Sequence, residues 1–357
     1  MSLNGLLEKS PATLPILQAT FGLERESLRI GKDHRIAQTD HPACLGSRSF
    51  HPYIQTDYSE AQLELITPIA HSTKEALRFL GALTDVAGRS IDKSEYLWPL
   101  SIPPKLCETD IHIAKLEDDY ECYYRKHLAD VYGKTLQSMS GIHFNMELGK
   151  DLVASLFKES GYQSIIDFKN DIHLKLAQNF LRFRWLLTYL YGASPIAEEG
   201  FFSKTLAKPV RSIRNSHLGY VNHKDIQVSN ESLEKYISDI EAYIASGKLI
   251  AEKEFYSAVR LRGSKHVRDY LTNGVTYLEL RTFDLNPFDN RGITQETLDT
   301  VHLFVLALLW LDSSSAIDQD ITEASKLNDK IALSHPLDKL PEDAPVESIL
   351  LAMQGIV

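Results

Sequence analysis

No stretch of this 357-residue sequence stays apolar long enough to cross a bilayer. The densest, Val301 to Leu311, has 11 residues and includes His302, whereas a membrane span needs roughly 20. It reads as a buried helix. The opening MSLNGLLEKSPATLP lacks a basic segment followed by an apolar run and a small-residue cleavage site, so export is not expected and the cytoplasm is the expected location. Cysteine is scarce: Cys44, Cys107 and Cys122 form no CxxC or zinc spacing, and an odd count is easiest to keep as free thiols in a reducing compartment. Positive charge is in deficit, with 38 Lys and Arg against 48 Asp and Glu and a formal charge of -10. That disfavours a track on nucleic acid, whose phosphates are met by clustered basic residues.

Several familiar motifs are also missing. There is no GxGxxG, HExxH or GxSxG, and no internal repeat or low-complexity tract. Gly133-Lys134-Thr135 looks like the end of a P-loop, but the first glycine of GxxxxGK[ST] would fall at Leu128. A Rossmann crevice, a P-loop and an α/β-hydrolase triad are all disfavoured.

What is present is a globular composition, 43% apolar and 24% charged, with helix and strand signals interleaved along the chain. This pattern fits one α+β unit with room for a further lobe. Ser72 followed by Glu75 has the form of a capping box, and Ala76, Leu77, Leu80, Leu83 and Ala87 continue at helical spacing, predicting a helix to about Gly88. Leu233, Tyr236, Ile237, Ile240, Tyr243 and Ile244 predict another, with Ser232 as N-cap and Gly247 as stop. Residues 164–190 read as one longer helix ending at Gly192, and Thr294 to Asp312 as the buried one.

Four strand candidates carry the chemistry. In FGLERESLRI, Glu24 and Glu26 project opposite to Leu23 and Arg25. Gln62 and Glu64 oppose Leu63 and Leu65; His143, Asn145 and Glu147 alternate with Ile142, Phe144, Met146 and Leu148; Glu279 and Arg281 oppose Leu278 and Leu280. Taken singly, each is explained by a sheet with one packed and one wet face. Taken together, the polar sides hold long acceptors, one His and one Arg, with almost no Lys or Ser. Carboxylates gathered on one face repel unless cations intervene, so Glu24, Glu26, Glu64 and Glu279 predict hard ions, Mg2+ or Mn2+, with His143 as a further ligand. Such ions commonly bridge to phosphates, and Arg281 beside them would meet charge on a transferring phosphoryl group.

The ordered strings GLERESLRI, HPACLGS, TDYSEAQLELITP, LWPLSIP, YGKTLQSMSGIHFN, YLYGASP, SIRNSHLGY and YLELRTFDLNPF resemble the bacterial glutamate-cysteine ligase family over roughly residues 16–330. The wording is closer to the ligase module of the bifunctional glutathione synthases, which carry an additional ATP-grasp domain, than to the monofunctional enzymes. The resemblance implies a glutamine synthetase-like fold, a curved and mainly antiparallel sheet with flanking helices. It implies ATP-dependent joining of the L-glutamate γ-carboxylate to the L-cysteine amine through a γ-glutamyl phosphate, the first step of glutathione biosynthesis. By motif position, Glu24, Glu26, Asp57, Glu64, His143 and Glu279 resemble the metal set, and Arg125 and Arg281 the phosphate-contacting arginines. Gln137 and Asn145 resemble residues of the nucleotide and phosphoryl region. Tyr58, Tyr124, Leu128, Arg214, Tyr220 and Tyr256 resemble the amino-acid pocket.

Outside the resemblance, Tyr124, Tyr220 and Tyr256 read more readily as packing aromatics than as ligand contacts, and His143 more readily as a satisfied core or surface histidine than as a ligand. The run Glu117 to Glu121 reads as a solvated charged face, and Arg260 and Arg262 as either phosphate contacts or solvated side chains. Residues 1–330 are expected to form the catalytic module. Residues 331–357, with Pro336, Pro341 and Pro345, are expected to be a loop leading into a C-terminal helical region that is cut short. A competing reading from another class is a silent fragment that binds nucleotide or a partner module.

Overall fold

The structure is a computed structural model and describes residues 15–204 and 206–356. The segment read for an export signal lies, apart from Pro15, outside the described residues. Seven strands form one sheet: β1 (Ala19–Gly31), β2 (Ile54–Thr56), β3 (Gln62–Ile66), β4 (Glu95–Leu97), β5 (Ile142–Leu148), β6 (Val259–Arg262) and β7 (Tyr277–Phe283). Their order is β2-β3-β1-β5-β7-β6, with β4 paired to the far end of β1. Every pairing is antiparallel, and a register shift interrupts β5 against β7 between Ile142 and Phe144.

Side chains alternate across a strand, so the period-two pattern of the sequence sorts each strand into two faces. Leu23, Leu63, Leu65, Phe144, Leu278 and Leu280 are at most 1% exposed on one of them. The helices are α1 (Thr73–Ser90), α2 (Asp119–Tyr132), α3 (Lys134–Gln137), α4 (Lys150–Ser160), α5 (Ile165–Phe183), α6 (Trp185–Tyr191), α7 (Leu233–Ala245), α8 (Tyr270–Asn273), α9 (Gln295–Ala307), α10 (Ile317–Ala332) and α11 (Val346–Gln354). α1 packs on β1 and β3, α5 on β6 and β7, and α6 on β7, while α9 covers α1, α10 covers α5 and α6, and α11 packs on α9. Leu77, Leu80, Phe180, Trp185, Leu298 and Phe304 join the apolar strand residues in one core. The sheet's other face is left for the polar residues.

The two amphipathic helices form where expected. Ser72 Oγ accepts from Glu75 N at 3.1 Å, but the Glu75 carboxylate returns to His71 N rather than to Ser72, so the capping box is displaced by one residue. Ser232 caps α7, and Gly247 follows it at φ 74°. Two helices differ from the sequence reading. The stretch 164–190 is two helices broken at Arg184, where Trp185 is fully buried and Arg184 only half-buried. The buried helix from Thr294 ends at Ala307 rather than Asp312, because its last turns tighten to i→i+3 bonds, Leu309 N to Leu306 O and Trp310 N to Ala307 O. The carbonyls so released are taken by α5: Asn179 Nδ2 donates to Leu308 O at 2.9 Å and Lys175 Nζ to Leu309 O at 2.8 Å.

After the proline-rich loop, α11 buries Ile349 in the main core, and Arg211 ties the loop down through Asp338 O at 2.7 Å. Cys44, Cys107 and Cys122 are all free thiols. Among the described residues no helix is long and apolar enough to cross a membrane.

Candidate active site

The polar face of the sheet floors an open cavity of about 530 Å³, within the usual size for small-molecule sites. Register sets its composition. Glu26 lies directly across from Glu64, Glu24 across from His143, and Glu279 between Asn145 and Arg260. Like charges directly opposite are destabilising, so the arrangement has to be compensated.

Part of the compensation comes from the protein. Glu24 accepts from Asn145 Nδ2 at 2.9 Å and meets His143 Nδ1 at 2.9 Å. Burial pushes its carboxyl up, but the His143 contact and the Asn145 bond outweigh that and hold it below the usual range. Glu279, 1% exposed, is gripped by Arg262 and Arg281. Burial opposes ionisation there too, yet Arg281, Arg260, His143 and Arg262 hold the carboxyl well below its usual value. Arg281 is held charged in return by Glu279 and Glu26.

The other two glutamates are less fully compensated, although His143, Arg214 and Arg281 offset part of the cost at Glu26. Glu26 takes Gly141 N at 2.9 Å, and burial raises its carboxyl. Glu64 makes no hydrogen bond among the described residues, and burial together with Asp57, Glu24 and Glu26 drives it well above the carboxylate range. Ligand atoms of Glu24, Glu64 and His143 lie within 4.8 Å of one another. His143 Nε2 is buried without a hydrogen-bond partner. Two carboxylates and an imidazole within reach of one another, with His143 Nε2 making only a 3.5 Å contact to Glu26, fit a hard divalent cation.

A pH dependence follows. The raised Glu26 and Glu64 carboxyls contribute stability below the unfolded value of 4.5 and lose it as pH rises through their folded values. Glu24 and Glu279, which are lowered, contribute above 4.5 and lose it only below. Of these four carboxyls only the raised pair titrates above 4.5, so the rise in Tm on adding Mg2+ to chelator-treated protein should be larger at pH 8 than at pH 5. An equal rise at both pH values would mean that the ion binds elsewhere.

Other expected residues surround this floor. Asp57, Arg125, Gln137, Tyr58, Tyr124, Leu128, Arg214, Tyr220 and Tyr256 all line the cavity. Arg125 Nε donates to Asp57 O at 2.7 Å and Nη1 to Glu121 at 2.7 Å. Tyr58 and Tyr124 are buried with Leu128, and the Tyr58 hydroxyl has no partner. Tyr220 OH donates to Tyr256 OH. Tyr256 is held by its own backbone, whose N–H donates to Asn222 Oδ1 at 2.6 Å. The Arg214 guanidinium lies over Gly141, where an added Cβ would sit 2.2 Å from it, so any larger residue there would displace Arg214. The loop bearing Arg214 is knotted by Asp284, which accepts from Ala193 N, Ser194 Oγ and Ser212 Oγ at 2.7 to 2.9 Å.

Asn145 is the exception among the expected residues. It does not line the cavity, because its amide is spent behind Glu24, and it acts on the site through that carboxylate. In the run Glu117 to Glu121, Glu117, Asp119 and Tyr120 are exposed as expected, but the run also has structural and cavity contacts. Glu117 accepts from the backbone of Arg48 and Ser49 at 3.0 Å, Asp118 caps α2, and Glu121 lines the cavity between Arg125 and Lys253. Arg260 and Arg262 are both cavity residues. Sequence reasoning missed Glu121, Lys253, Arg184 and Asp329; only Glu121, at i−4 from Arg125, left a local signal.

Comparison with known proteins agrees with this geometry. The glutamate-cysteine ligase family profile matches residues 5–250 and 243–331. The glutathione biosynthesis bifunctional protein GshAB of Streptococcus mutans is 67% identical over all of this chain and 48% of its own length. A crystal structure of a bifunctional glutathione synthetase from Pasteurella multocida is 42% identical with a TM-score of 0.93, covering 100% of this chain and 47% of that one. That of the glutamate-cysteine ligase of Francisella tularensis, in complex with AMP, is 27% identical with a TM-score of 0.83, covering 95% and 77%. The chain spans about half the length of the curated relatives it matches. A profile match over nearly the whole chain, on a fold whose polar sheet face forms the cavity, places the chain in the glutamate-cysteine ligase family.

Proposed function

We propose that this chain is an ATP-dependent ligase that joins the γ-carboxylate of L-glutamate to the amine of L-cysteine, releasing ADP and phosphate. The observation that carries the reading is the juxtaposition, on one sheet face, of Glu64 and Glu26, both raised by burial, with Arg281 beside Glu279. The Francisella ligase is in complex with AMP, which supports an adenine nucleotide in the equivalent cavity here.

A free carboxylate is a poor acyl donor, so the γ-carboxylate is first phosphorylated by ATP. The cysteine amine then attacks the acyl phosphate, forming the amide as phosphate leaves. Glu24, Glu64 and His143, with Glu26 and Asp57 alongside, would hold Mg2+ or Mn2+, which when bound neutralises phosphate charge. Arg281 meets the charge that grows on the transferring phosphoryl group, from a position already fixed by Glu279. Arg125, fixed to Asp57 and Glu121, adds a second cation. Gln137, on the cavity wall, serves the same nucleotide region. Tyr58, Tyr124, Leu128, Arg214, Tyr220 and Tyr256 line the amino-acid side of the cavity and align the reactants.

We assign catalysis to residues 1–330, with residues 331–357 beginning a C-terminal helical region. The free thiols suit a reducing cytoplasm. The deciding measurement is coupled ADP release with glutamate, cysteine, ATP and Mg2+. Release should require both amino acids; folded protein that releases none, or releases ADP regardless of cysteine, overturns the proposal.

The tyrosines provide a finer prediction. Tyr256→Phe removes the hydroxyl that accepts from Tyr220 while leaving the ring, so the KM for cysteine should rise about tenfold with that for ATP unchanged. Steady-state kinetics with each substrate varied in turn checks this. Equal weakening of ATP would move these rings to the nucleotide.

A further inference from the structure

Tyr220 and Tyr256 reach the cavity from segments that belong to no strand or helix. Tyr220 stands in the loop after Ser212, and Tyr256 between the short turn Glu252–Glu254 and β6. No backbone ladder fixes either ring, so each takes its position from the side chains packed behind it. Behind the pair lie Tyr132, Asn222 and Glu254, none of which lines the cavity.

Tyr132, the last residue of α2, is the centre. Its ring meets Tyr220 and Tyr256 edge-on, with centroids 5.6 and 5.7 Å away, and stacks on His223 at 5.3 Å. Its hydroxyl donates to Glu254 Oε1 at 3.1 Å and accepts from Asn222 Nδ2 at 3.0 Å. Burial, with Glu254 adding to it and the Asn222 bond opposing, pushes that hydroxyl up to about 12, so it stays a donor near neutral pH. Asn222 closes the other side: Nδ2 also donates to Glu254 O at 2.8 Å, while Oδ1 accepts from Tyr256 N at 2.6 Å. A carbonyl and an N–H fix which way this amide points. Glu254 anchors both residues. Its carboxylate is fully buried and accepts from Ile250 N at 2.7 Å, with His127 Nε2 3.2 Å away. Three walls of the cavity, α2 with Tyr124 and Leu128, the loop with Tyr220 and the segment with Tyr256, are thus joined at one polar node. Ring packing alone would be met by phenylalanine at 132; only the hydroxyl ties the walls together.

We propose that Tyr132 and Asn222, anchored on Glu254, are positioning residues that set the Tyr220–Tyr256 hydroxyl pair for the acceptor amino acid. This role rests on the ligase reading and deepens it, because bringing an amine to an acyl phosphate is sensitive to small misplacements of the groups that hold it. Neither residue touches substrate. Asn222 acts on the Tyr256 backbone, and Tyr132 on both rings.

Steady-state ADP release with glutamate, cysteine and ATP varied in turn tests it in Tyr132→Phe, Asn222→Asp, Tyr256→Phe and the double variant Tyr132→Phe/Tyr256→Phe. Tyr132→Phe keeps the ring and loses only the two hydroxyl bonds, so the KM for cysteine should rise about 3- to 10-fold, with those for glutamate and ATP unchanged. Asn222→Asp keeps an acceptor for Tyr256 N but has no donor for Tyr132 or Glu254 O, and should act in the same direction. Once Tyr256→Phe has broken the pair, adding Tyr132→Phe should cost less than about twofold more. Effects that multiply in full in the double variant overturn the positioning role and leave the ligase reading standing. So does an unaltered KM for cysteine in both single variants, or a rise for glutamate or ATP in its place. A lower Tm and kcat with all KM values unchanged marks a role in folding alone, and overturns it as well. If the parent releases no ADP in response to cysteine, the ligase reading falls and this one with it.

Discussion

Replacing Arg281 by lysine should slow ADP formation on the order of 10²- to 10³-fold, the usual cost of losing one preorganised donor at developing charge. Lysine keeps the charge but not the planar fork that grips one acceptor while presenting its other edge. Arg281 Nη1 is committed to Glu279 Oε1, and that contact orients the remaining donors toward Glu26 and the cavity. An ammonium can meet Glu279 or a phosphoryl oxygen, but not both in a fixed geometry. On the proposed assignment Arg281 meets charge that grows only during transfer, so the loss should fall on kcat, with the KM values for the three substrates little changed. The fold should survive, because Arg262 continues to neutralise Glu279. An Arg281→Lys enzyme with normal turnover would place phosphoryl transfer elsewhere in the cavity.

Glu64→Gln should separate stability from function. In the metal-free protein Glu64 is a half-buried carboxyl facing Glu26 directly and pressed by Asp57 and Glu24, with no hydrogen bond of its own among the described residues. Its neutral isostere removes a repulsion, so the metal-free variant should melt no lower than the parent, and higher at pH 8. The same change removes one of the three donors that could share an ion. The Mg2+-induced rise in Tm, which reflects binding to the folded state alone, should therefore collapse, and turnover should fall at least about 10²-fold. Glu342→Gln, on an exposed loop residue, is the control and should alter neither. Glu117 would be a poor control, because it holds the backbone of Arg48 and Ser49. If Glu64→Gln keeps both the metal response and activity, the clustered carboxylates are not an ion site.

These expectations draw unequally on sequence and fold. The sheet's two faces were legible because side-chain alternation is local: Leu23 and Glu24, or Leu280 and Arg281, part sides whatever the rest of the chain does. Helix starts at Ser72 and Ser232 were legible for the same reason, since a cap is made within a few residues. The family strings added identities at the floor of the cavity, and all but Asn145 of the residues they indicated line it.

Tertiary structure decided the rest. That Glu26 faces Glu64, and Glu24 faces His143, depends on strand order and register, which long-range backbone hydrogen bonds and the packed apolar face impose. Asn145 shares the polar face yet is withdrawn from the cavity by a bond to a neighbouring strand. The early stop at Ala307 is likewise invisible in periodicity, because the donors that accommodate it, Lys175 and Asn179, come from another helix. Arg184, Lys253 and Asp329 look in sequence like any polar residue on a helix or loop, and nothing local distinguishes a side chain facing a cavity from one facing water. The alternating sequence determined which residues could share a face; only the closing of distant helices and loops over that face decided which of them share a site.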